Sequence, residues 1–468
     1  MGTLLFSLPV PGRLVLASTL RLRRSRTLAV YDEIRREPFG PAEAVRARQW
    51  ERISGLMTHA VAKVPYYREL FASLRLTPRD VRNFDDYAAL PVLTKDIIRA
   101  RWRDLVREDV AVESLQPHFS GGSTGVPLRF FRSPDYMEYS DAGTYRNLAQ
   151  CGWKPGEMMA FVWGGNDKVY AMSGREFELR QWMRRQYLLD PFSSGPGDFD
   201  RWLGVVKRIG ATVVFGYAST IARFAEYLEA SGQKAPLMKG VFTTAEKLYP
   251  AQRAVIGRVF QSPVFDLYGS SEIQNIAAEC PRGKMHINAD FVHVETAAAD
   301  APGAPQPLLL TSLRNFSMPF LRYRNEDCGA LADGVCDCGN HFPLMELRIA
   351  RSSDNFRLPG GRVVHGEFFT HLMYGTEGVA SFQFHQTAID AFTLWIVPSP
   401  GAFAVARERA AREAIRQIQE LCPLSKIEVQ VKETDLIPPS SAGKHRFTRS
   451  DVPLAAETLA SDASQEAR

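Results

Sequence analysis

The 468-residue sequence is poor in cysteine, in net charge and in long apolar runs, and each shortage excludes a class of protein. Six cysteines are too few for a disulfide scaffold of this length, so we expect a reducing compartment and cytoplasmic residence. A formal net charge of +5 predicts no nucleic-acid partner, although it suits local binding of small anions. No window approaches the ~20 apolar residues of a membrane helix, so we predict no integral membrane segment.

The N-terminus is apolar first and basic afterwards, which is nearly the reverse of a secretory signal peptide. Two interpretations stay open for it. The segment forms an apolar flap and an amphipathic helix that dock on their own domain, or it makes a peripheral membrane contact. The residues for such a contact are three apolar side chains and four arginines: Leu4, Leu5, Phe6, Arg21, Arg23, Arg24 and Arg26.

The chain has the apolar content of a globular protein, 45%, and the length of two to three domains. From 117 to 340, strand-like apolar runs alternate with helical patterns, which favours an α/β fold with parallel sheet. Two later stretches, 285–296 and 320–325, alternate in the manner of antiparallel strands. After 352 the pattern changes to strands and one charged helix, typical of a small α+β unit.

The sequence therefore predicts an α/β protein with a large N-terminal domain of several subdomains and mixed sheets. A small, mobile α+β C-terminal domain follows it. The predicted boundaries are 1–352 for the first domain, 353–450 for the second, and 451–468 for a flexible tail.

The first of four candidate motifs is a glycine-rich loop. It comprises Ser120, Gly121, Gly122, Ser123, Thr124 and Gly125. Three glycines among hydroxyl residues suit a loop whose N–H groups surround an anion. The loop lacks the Gly-Lys-Ser/Thr ending of a Walker A motif, which disfavours a P-loop NTPase. A glycine-rich hairpin without function has the same appearance.

The second and third motifs place carboxylates beside predicted strands. Residues 266–272 end a strand in a turn where a hydroxyl adjoins Glu272, a combination able to hold a phosphate and its Mg²⁺. The alternative is that Glu272 opens a helix. Residues 319–327 place Asp327 after a strand, where it is able to accept hydrogen bonds from two ribose hydroxyls. The alternative is a strand-exit Asx turn.

The fourth motif is Lys444 behind a small-residue turn at 438–443. A lysine on such a turn is a mobile point charge that is able to stabilise a phosphoryl transition state. A basic surface loop without function is the alternative.

The order of these four motifs resembles the adenylate-forming superfamily of acyl- and aryl-CoA ligases. Within it, the chain is similar to the phenylacetate-CoA ligase branch, especially its CapK-type members. The segments that carry this closer resemblance are 59–71, 90–99, 268–280 and 285–295. The resemblance extends from about 45 to 450, and the first domain is then the AMP-binding domain.

The resemblance implies a role for each motif. Residues 120–125 hold the β- and γ-phosphates of ATP, and the turn with Gly269 and Ser270 belongs to the nucleotide site. Tyr268 stacks near the adenine, and Ser271 meets the α-phosphate. The remaining implied roles are Mg²⁺ binding by Glu272, ribose binding by Asp327, an AMP-site and hinge position for Arg351, and adenylation by Lys444. Ala350 and Ser353 depart from the glycine and the acidic hinge residue of the family.

The resemblance also implies the reaction: ATP-dependent activation of a carboxylic acid as an acyl-adenylate, then transfer to a thiol, with CoA as the simplest acceptor. One alternative passes the acyl group to an amine or hydroxyl in cell-surface polysaccharide or secondary-metabolite synthesis. Another is a non-catalytic nucleotide-binding scaffold, against which the intact Glu272, Asp327 and Lys444 argue. A homodimer is a further possibility.

Five aromatic residues line an acyl pocket if the family layout applies: Phe161, Trp163, Phe215, Tyr217 and Tyr268. An apolar pocket of this kind suits an aryl or medium-chain acid. The alternative is that these side chains belong to the core.

Four of the six cysteines lie between 280 and 338. Cys280, His286, Cys336 and Cys338 make a candidate tetrahedral zinc set, with Cys328 and His341 as additional candidates. Buried free thiols next to an exposed turn are the alternative, because Cys-x-Cys is less diagnostic than Cys-x-x-Cys. Some relatives resemble this arrangement, which favours a structural zinc. Four protein ligands leave no open position, so we expect no catalytic zinc.

Overall fold

The computed structural model describes residues 6, 10–120, 128–164, 174–191, 196–245, 248, 250–298, 306–349, 355–373, 376–399, 404–437 and 447–452. Within these ranges the helices are α1 (Gly12–Leu22), α2 (Thr27–Ile34), α3 (Ala42–Lys63), α4 (Pro65–Ser73), α5 (Phe84–Ala88), α6 (Lys95–Arg101), α7 (Pro134–Leu148), α8 (Gly174–Arg184), α9 (Pro196–Ile209), α10 (Ala218–Ala230), α11 (Pro250–Phe260), α12 (Gly366–Met373) and α13 (Ala404–Glu420).

The strands in the same ranges are β1 (Gln116–Ser120), β2 (Leu128–Arg132), β3 (Met159–Val162), β4 (Gln186–Leu189), β5 (Val213–Tyr217), β6 (Gly240–Thr244), β7 (Val264–Tyr268), β8 (Ala277–Glu279), β9 (Met285–Ile287), β10 (Val292–Thr296), β11 (Pro307–Ser312), β12 (Tyr323–Ala332), β13 (Leu344–Ile349), β14 (Asn355–Arg357), β15 (Val363–His365), β16 (Val379–Ala388), β17 (Ala391–Pro398), β18 (Glu428–Glu433) and β19 (Thr448–Ser450).

Eleven strands form one sheet in the order β10-β11-β12-β13-β9-β8-β7-β6-β5-β3-β4. The half from β4 to β7 is parallel, and the half from β7 to β10 is antiparallel. Helices α9, α10 and α11 pack on the parallel half through a cluster that includes Trp202, Phe224 and Phe260. The α/β fold with mixed sheet is therefore confirmed.

The N-terminal helices cover the antiparallel half. Ile53, Met57 and Ala60 recur at helical spacing in α3, and all three are fully buried against strands β10 to β12. Thr94 caps α6, since its hydroxyl oxygen accepts a hydrogen bond from the Ile97 amide at 3.3 Å. Strands β1 and β2 form a separate antiparallel hairpin whose ends carry the glycine-rich loop.

The C-terminal part has its own small sheet, β18-β17-β16-β19, and its own apolar cluster. Helix α13 packs on that sheet through Ala411, Ala414 and Ile418. The predicted boundary at 352 and the tail from 453 lie outside the described residues, so the domain limits stay a prediction.

Within the described residues, no helix has both the length and the apolar character needed to cross a bilayer.

Candidate functional site

The predicted nucleotide turn lies between β7 and β8. It starts after Tyr268 and is closed by its own hydrogen bonds. The Ser270 amide donates to the Ile273 carbonyl at 2.9 Å, and the Ile273 amide donates to the Ser270 hydroxyl at 3.1 Å. No helix follows Glu272 in this described segment, because β8 begins at Ala277. The alternative that Glu272 opens a helix is therefore wrong.

Glu272 is almost completely buried, with 4% of its surface exposed. The Tyr323 hydroxyl donates to its Oε1 atom at 2.9 Å. A buried carboxylate needs such partners, because burial otherwise favours its neutral form. The turn thus holds one oriented carboxylate, the group that the Mg²⁺ assignment requires.

Asp327 does not follow a strand, as its sequence position suggested, but lies within β12. It shares one face of that strand with Tyr323 and Asn325, because alternate residues of a strand point to the same side. The Tyr268 hydroxyl donates to Asp327 Oδ2 at 2.8 Å, and Asn325 Nδ2 donates to the same oxygen at 2.8 Å. Asn325 Nδ2 also donates to the Tyr268 hydroxyl at 2.9 Å.

These contacts join two motifs that are more than fifty residues apart. The end of β7 supplies Tyr268, the turn supplies Glu272, and the face of β12 supplies the residues that hydrogen-bond to them. Tyr323 and Asn325 were not predicted as site residues. The alternation of the sequence around 320–327 was the available signal, because it places them on the face of Asp327.

Arg132 is a further residue that the sequence did not indicate. It lies at the end of β2 with 4% of its surface exposed, and its guanidinium donates to the carbonyl oxygen of Ser271. Burial lowers the pKa of Arg132, while the nearby Tyr136 and Glu272 oppose that shift. A buried cation therefore lies beside the turn, on the strand that returns from the glycine-rich loop.

The other predicted nucleotide residues divide into two groups. Gly269, Ser270 and Ser271 lie in the turn, where Ser271 is exposed, and Ser120 ends β1. The remaining residues fall outside the described part of the chain: Gly121, Gly122, Ser123, Thr124, Gly125, Arg351 and Lys444.

Four of the five predicted pocket aromatics, all except Tyr268, form a stacked row on β5 and at the end of β3. Phe161 stacks on Trp163 at 5.5 Å and on Phe215 at 5.4 Å between ring centroids. Trp163 stacks on Tyr217 at 4.8 Å. Tyr217 is fully buried, whereas the other three rings are partly exposed. The row thus extends from the core to an accessible face at the carboxyl ends of parallel strands, where ligands bind in such sheets.

The candidate zinc ligands converge at the other end of β8. Cys280 and His286 flank the β8–β9 turn, and Cys336 and Cys338 lie in the β12–β13 turn. Their ligand atoms all lie within 4.8 Å of one another. Cys280 Sγ is 3.7 Å from Cys336 Sγ, and Cys338 Sγ is 3.4 Å from His286 Nε2. The additional candidates Cys328 and His341 are not part of this group.

These distances fit a tetrahedral zinc site. Zn–S bonds of about 2.3 Å and Zn–N bonds of about 2.0 Å place tetrahedral ligand atoms roughly 3.5–3.8 Å apart. A disulfide requires about 2.05 Å between sulfurs, and none of the six cysteines, all within the described residues, is in a disulfide. His286 Nδ1 donates to the Phe342 carbonyl at 2.9 Å, which leaves the Nε2 lone pair for a metal. Burial, helped by the Cys336 and Cys280 thiols, raises the pKa of Cys338 to about 12.

Curated relatives of the chain are phenylacetate-CoA ligases and CapK. The phenylacetate-coenzyme A ligase of Thermus thermophilus is 26% identical over 362 residues, which cover 73% of this chain and 78% of the relative. That of Escherichia coli is 24% identical over 339 residues, covering 69% and 74%. Protein CapK of Staphylococcus aureus is 21% identical over 395 residues, covering 81% and 84%. No family model matches the chain.

The fold is also that of a solved acyl-CoA ligase. The structure of 2-hydroxyisobutyryl-CoA ligase with 2-HIB-AMP and CoA in the thioesterification state gives a TM-score of 0.57 at 17% identity, over 92% of this chain and 94% of that one. Its open conformation gives 0.54 at 18% identity, over 89% and 94%. The chain is thus similar in sequence to phenylacetate-CoA ligases and to CapK, and similar in fold to 2-hydroxyisobutyryl-CoA ligase.

Proposed function

We propose that the chain is an AMP-forming acid–thiol ligase that activates a carboxylic acid with ATP and transfers the acyl group to CoA. The observation that carries the proposal is the contact between the turn and β12. Hydrogen bonds from Tyr323 to Glu272 and from Tyr268 to Asp327 hold the two carboxylates expected to bind the metal and the ribose, one on each side of this contact. The phenylacetate-CoA ligase relatives support the choice of thiol as acceptor.

In the first half-reaction, a carboxylate oxygen of the acid attacks the α-phosphorus of ATP, and pyrophosphate leaves. The chain must stabilise the negative charge that gathers on the phosphorus oxygens. We assign that charge stabilisation to Lys444, and the orientation of the α-phosphate to Ser271. Glu272 holds Mg²⁺, which supplies Lewis-acid stabilisation of the same charge. The glycine-rich loop, residues 120–125, holds the departing phosphates.

The face of β12 orients the nucleotide. We assign the ribose hydroxyls to the Asp327 carboxylate, whose Oδ2 atom accepts hydrogen bonds from Tyr268 and Asn325 and is oriented by them. Arg132 fixes the Ser271 carbonyl and so holds the turn that carries Glu272. Its role is therefore to position the turn.

In the second half-reaction, the thiol of CoA loses its proton and its sulfur attacks the acyl carbon, and AMP leaves. We expect the small C-terminal domain to rotate near Arg351 between the two steps. The stacked row of Trp163, Phe215 and Tyr217 suits an apolar, aryl acid.

We further propose that Cys280, His286, Cys336 and Cys338 hold a structural zinc ion. It joins the β8–β9 turn to the β12–β13 turn, and its four protein ligands leave no site for substrate. Cytoplasmic residence and a homodimer remain predictions.

The reaction is tested with purified protein, ATP, Mg²⁺ and a panel of aryl and aliphatic acids, each with and without CoA. Acid-dependent pyrophosphate release together with a CoA thioester is the expected result. If pyrophosphate is released without a thioester, and an acyl product forms only when an amine or hydroxyl acceptor is added, the acceptor is that amine or hydroxyl and not CoA. If no acid causes pyrophosphate release, the proposal is contradicted, and the non-catalytic nucleotide-binding scaffold becomes the favoured alternative.

A further inference from the structure

The positive charge of the chain is concentrated at its N-terminal end. Residues 10–36 contain seven arginines, no lysine and only two acidic residues, Asp32 and Glu33, so this segment alone has a formal charge of +5. The whole chain also has a net charge of +5, which leaves residues 37–468 neutral in sum. The candidate active site uses none of these arginines.

Helix α1 is fixed to the body of the protein by one face. Val15, Leu16 and Thr19 are buried, and the Thr19 hydroxyl is 3.0 Å from the Met183 carbonyl of α8. At the start of the helix, Gly12 lies so close to the Gly156 carbonyl that a Cβ atom there would be 2.1 Å from it. The helix is therefore held in place, and its opposite face has a fixed orientation.

That opposite face carries two exposed leucines, and arginines follow at the C-terminal end of the helix. Leu14, Ser18 and Leu22 follow one another at four-residue spacing, which puts them on one side of the helix. Leu14 is 61% exposed and Leu22 is 77% exposed, although large apolar side chains usually avoid water. Arg21 lies on the same face, and three further exposed arginines follow within a few residues: Arg23, Arg24 and Arg26. We call six of these side chains the α1 surface: Leu14, Leu22, Arg21, Arg23, Arg24 and Arg26.

We propose that the α1 surface binds the interface of an anionic lipid bilayer, with the two leucines inserted among the headgroups and the arginines paired with lipid phosphates. The positive charge of the arginines requires an anionic partner. The exposed leucines favour a lipid bilayer over nucleic acid, because the bilayer interface buries aliphatic side chains and nucleic acid does not bury them to a comparable extent. Phe6 is excluded from this contact. It packs on Tyr187 at 5.9 Å, with the Arg208 guanidinium 5.2 Å from its ring.

The proposal goes beyond the ligase reaction and is independent of it. Its test is flotation of the full-length protein with vesicles of phosphatidylcholine alone, or containing about one third phosphatidylglycerol, at low salt and at about 0.5 M salt. We expect binding to the anionic vesicles at low salt, weakened by salt, and little binding to pure phosphatidylcholine. Equal binding to both vesicle types, or none to either, overturns the proposal.

Three variants locate the contact. Replacing the four arginines 21, 23, 24 and 26 by glutamine should weaken binding about 100-fold or more, at roughly fivefold for each charge. Replacing the same four by lysine should largely retain it, because this attraction depends on charge. Leu14→Gln with Leu22→Gln should weaken binding about tenfold without changing its salt dependence.

The matched control removes four exposed arginines elsewhere, at positions 79, 82, 409 and 412. It should leave vesicle binding within about twofold, and an equal loss in this control means that net charge alone matters and overturns the assignment to α1. Tight binding to a DNA duplex without vesicle binding, or a leucine variant that changes only self-association, likewise overturns it. Unchanged pyrophosphate release by the four-glutamine variant in vesicle-free buffer confirms that the variant is folded.

Discussion

Two groups of buried polar side chains lie at opposite ends of the short strand β8, and they are built differently. The turn that precedes β8 is hydrogen-bonded to β12: Glu272 and Asp327 accept hydrogen bonds from tyrosine hydroxyls. The cluster that follows β8 begins at Cys280 and brings three thiols and one imidazole together. In the first group, donors are matched with acceptors. In the second, four potential metal ligands converge on one point.

The difference indicates what each group is for. A network whose buried atoms already have protein partners stays folded without a ligand, so its fold does not depend on a substrate that binds and leaves. A set of four converging thiol and imidazole ligands is stable as thiolates only around a cation. Substitutions in the turn should therefore lower the reaction rate more than the stability of the fold, and substitutions in the cluster should lower the stability more than the rate.

The largest effect is expected for Glu272→Gln. The substitution keeps the size of the side chain and an acceptor for Tyr323, but it removes the charge that holds Mg²⁺. We expect pyrophosphate release to fall about 1,000-fold while the melting temperature changes by less than about 2 °C. Steady-state kinetics and thermal unfolding measure the two quantities.

The control for this variant is Glu279→Gln, at the other end of β8, where the carboxylate pairs with Arg253. It should cost stability and leave kcat nearly unchanged. If Glu279→Gln reduces kcat as strongly as Glu272→Gln, the chemical role of Glu272 is wrong.

The next largest effect is expected for Cys336→Ser in the cluster. Loss of one ligand should lower the melting temperature by about 5–10 °C and reduce the bound zinc, measured by elemental analysis of protein purified without added metal. The rate per folded molecule should stay within about twofold. Cys328→Ser, which removes a β12 thiol outside the cluster, should change neither quantity. A parent protein without bound zinc contradicts the assignment.

A smaller effect is expected for Asn325→Ala. The substitution removes donors to both Tyr268 and Asp327 and leaves Asp327 poorly oriented. We expect a loss of about 1–3 kcal/mol in the free energy of unfolding and a rise of about tenfold in the KM for ATP, with kcat less affected. Asn315→Ala is the matched control, because Asn315 is buried and donates to the Phe131 carbonyl at 3.0 Å. It should cost similar stability without raising the KM.

The sequence predicted the elements better than the contacts between them. The strands near 158–163, 211–217 and 239–245 and the Thr94 cap were predictable because they depend on local apolar pattern and local hydrogen bonds. Asp327 was placed after a strand, because the polar residues that precede it look like a strand end. In the structure they form the buried face of β12, where polar partners from the distant turn compensate their burial.

Other site features depend on contacts that no local pattern encodes. Arg132 reaches Ser271 across the fold, so nothing near residue 132 indicates its role. The four zinc-ligand candidates were predictable as residue types, but their convergence depends on the pairing of β9 with β13, which sets His286 opposite Leu344. Sheet register, set by tertiary packing, brings these side chains together.

The smallest effect concerns Asp266 on β7, which connects the two regions, because its amide donates to Glu279 at 2.8 Å. Burial raises the pKa of Asp266 to about 7, and the Glu279 carboxylate adds to the shift. The unfolded chain loses this proton near pH 4, so the folded state loses stability as the pH rises from about 4 to about 7. Asp266→Asn removes that penalty: it should be nearly neutral at pH 4 and gain about 1 kcal/mol or more at pH 8 in urea unfolding. If the variant retains the full pH dependence of the parent over this range, the titrating group lies elsewhere, and the cluster after β8 becomes the region to examine.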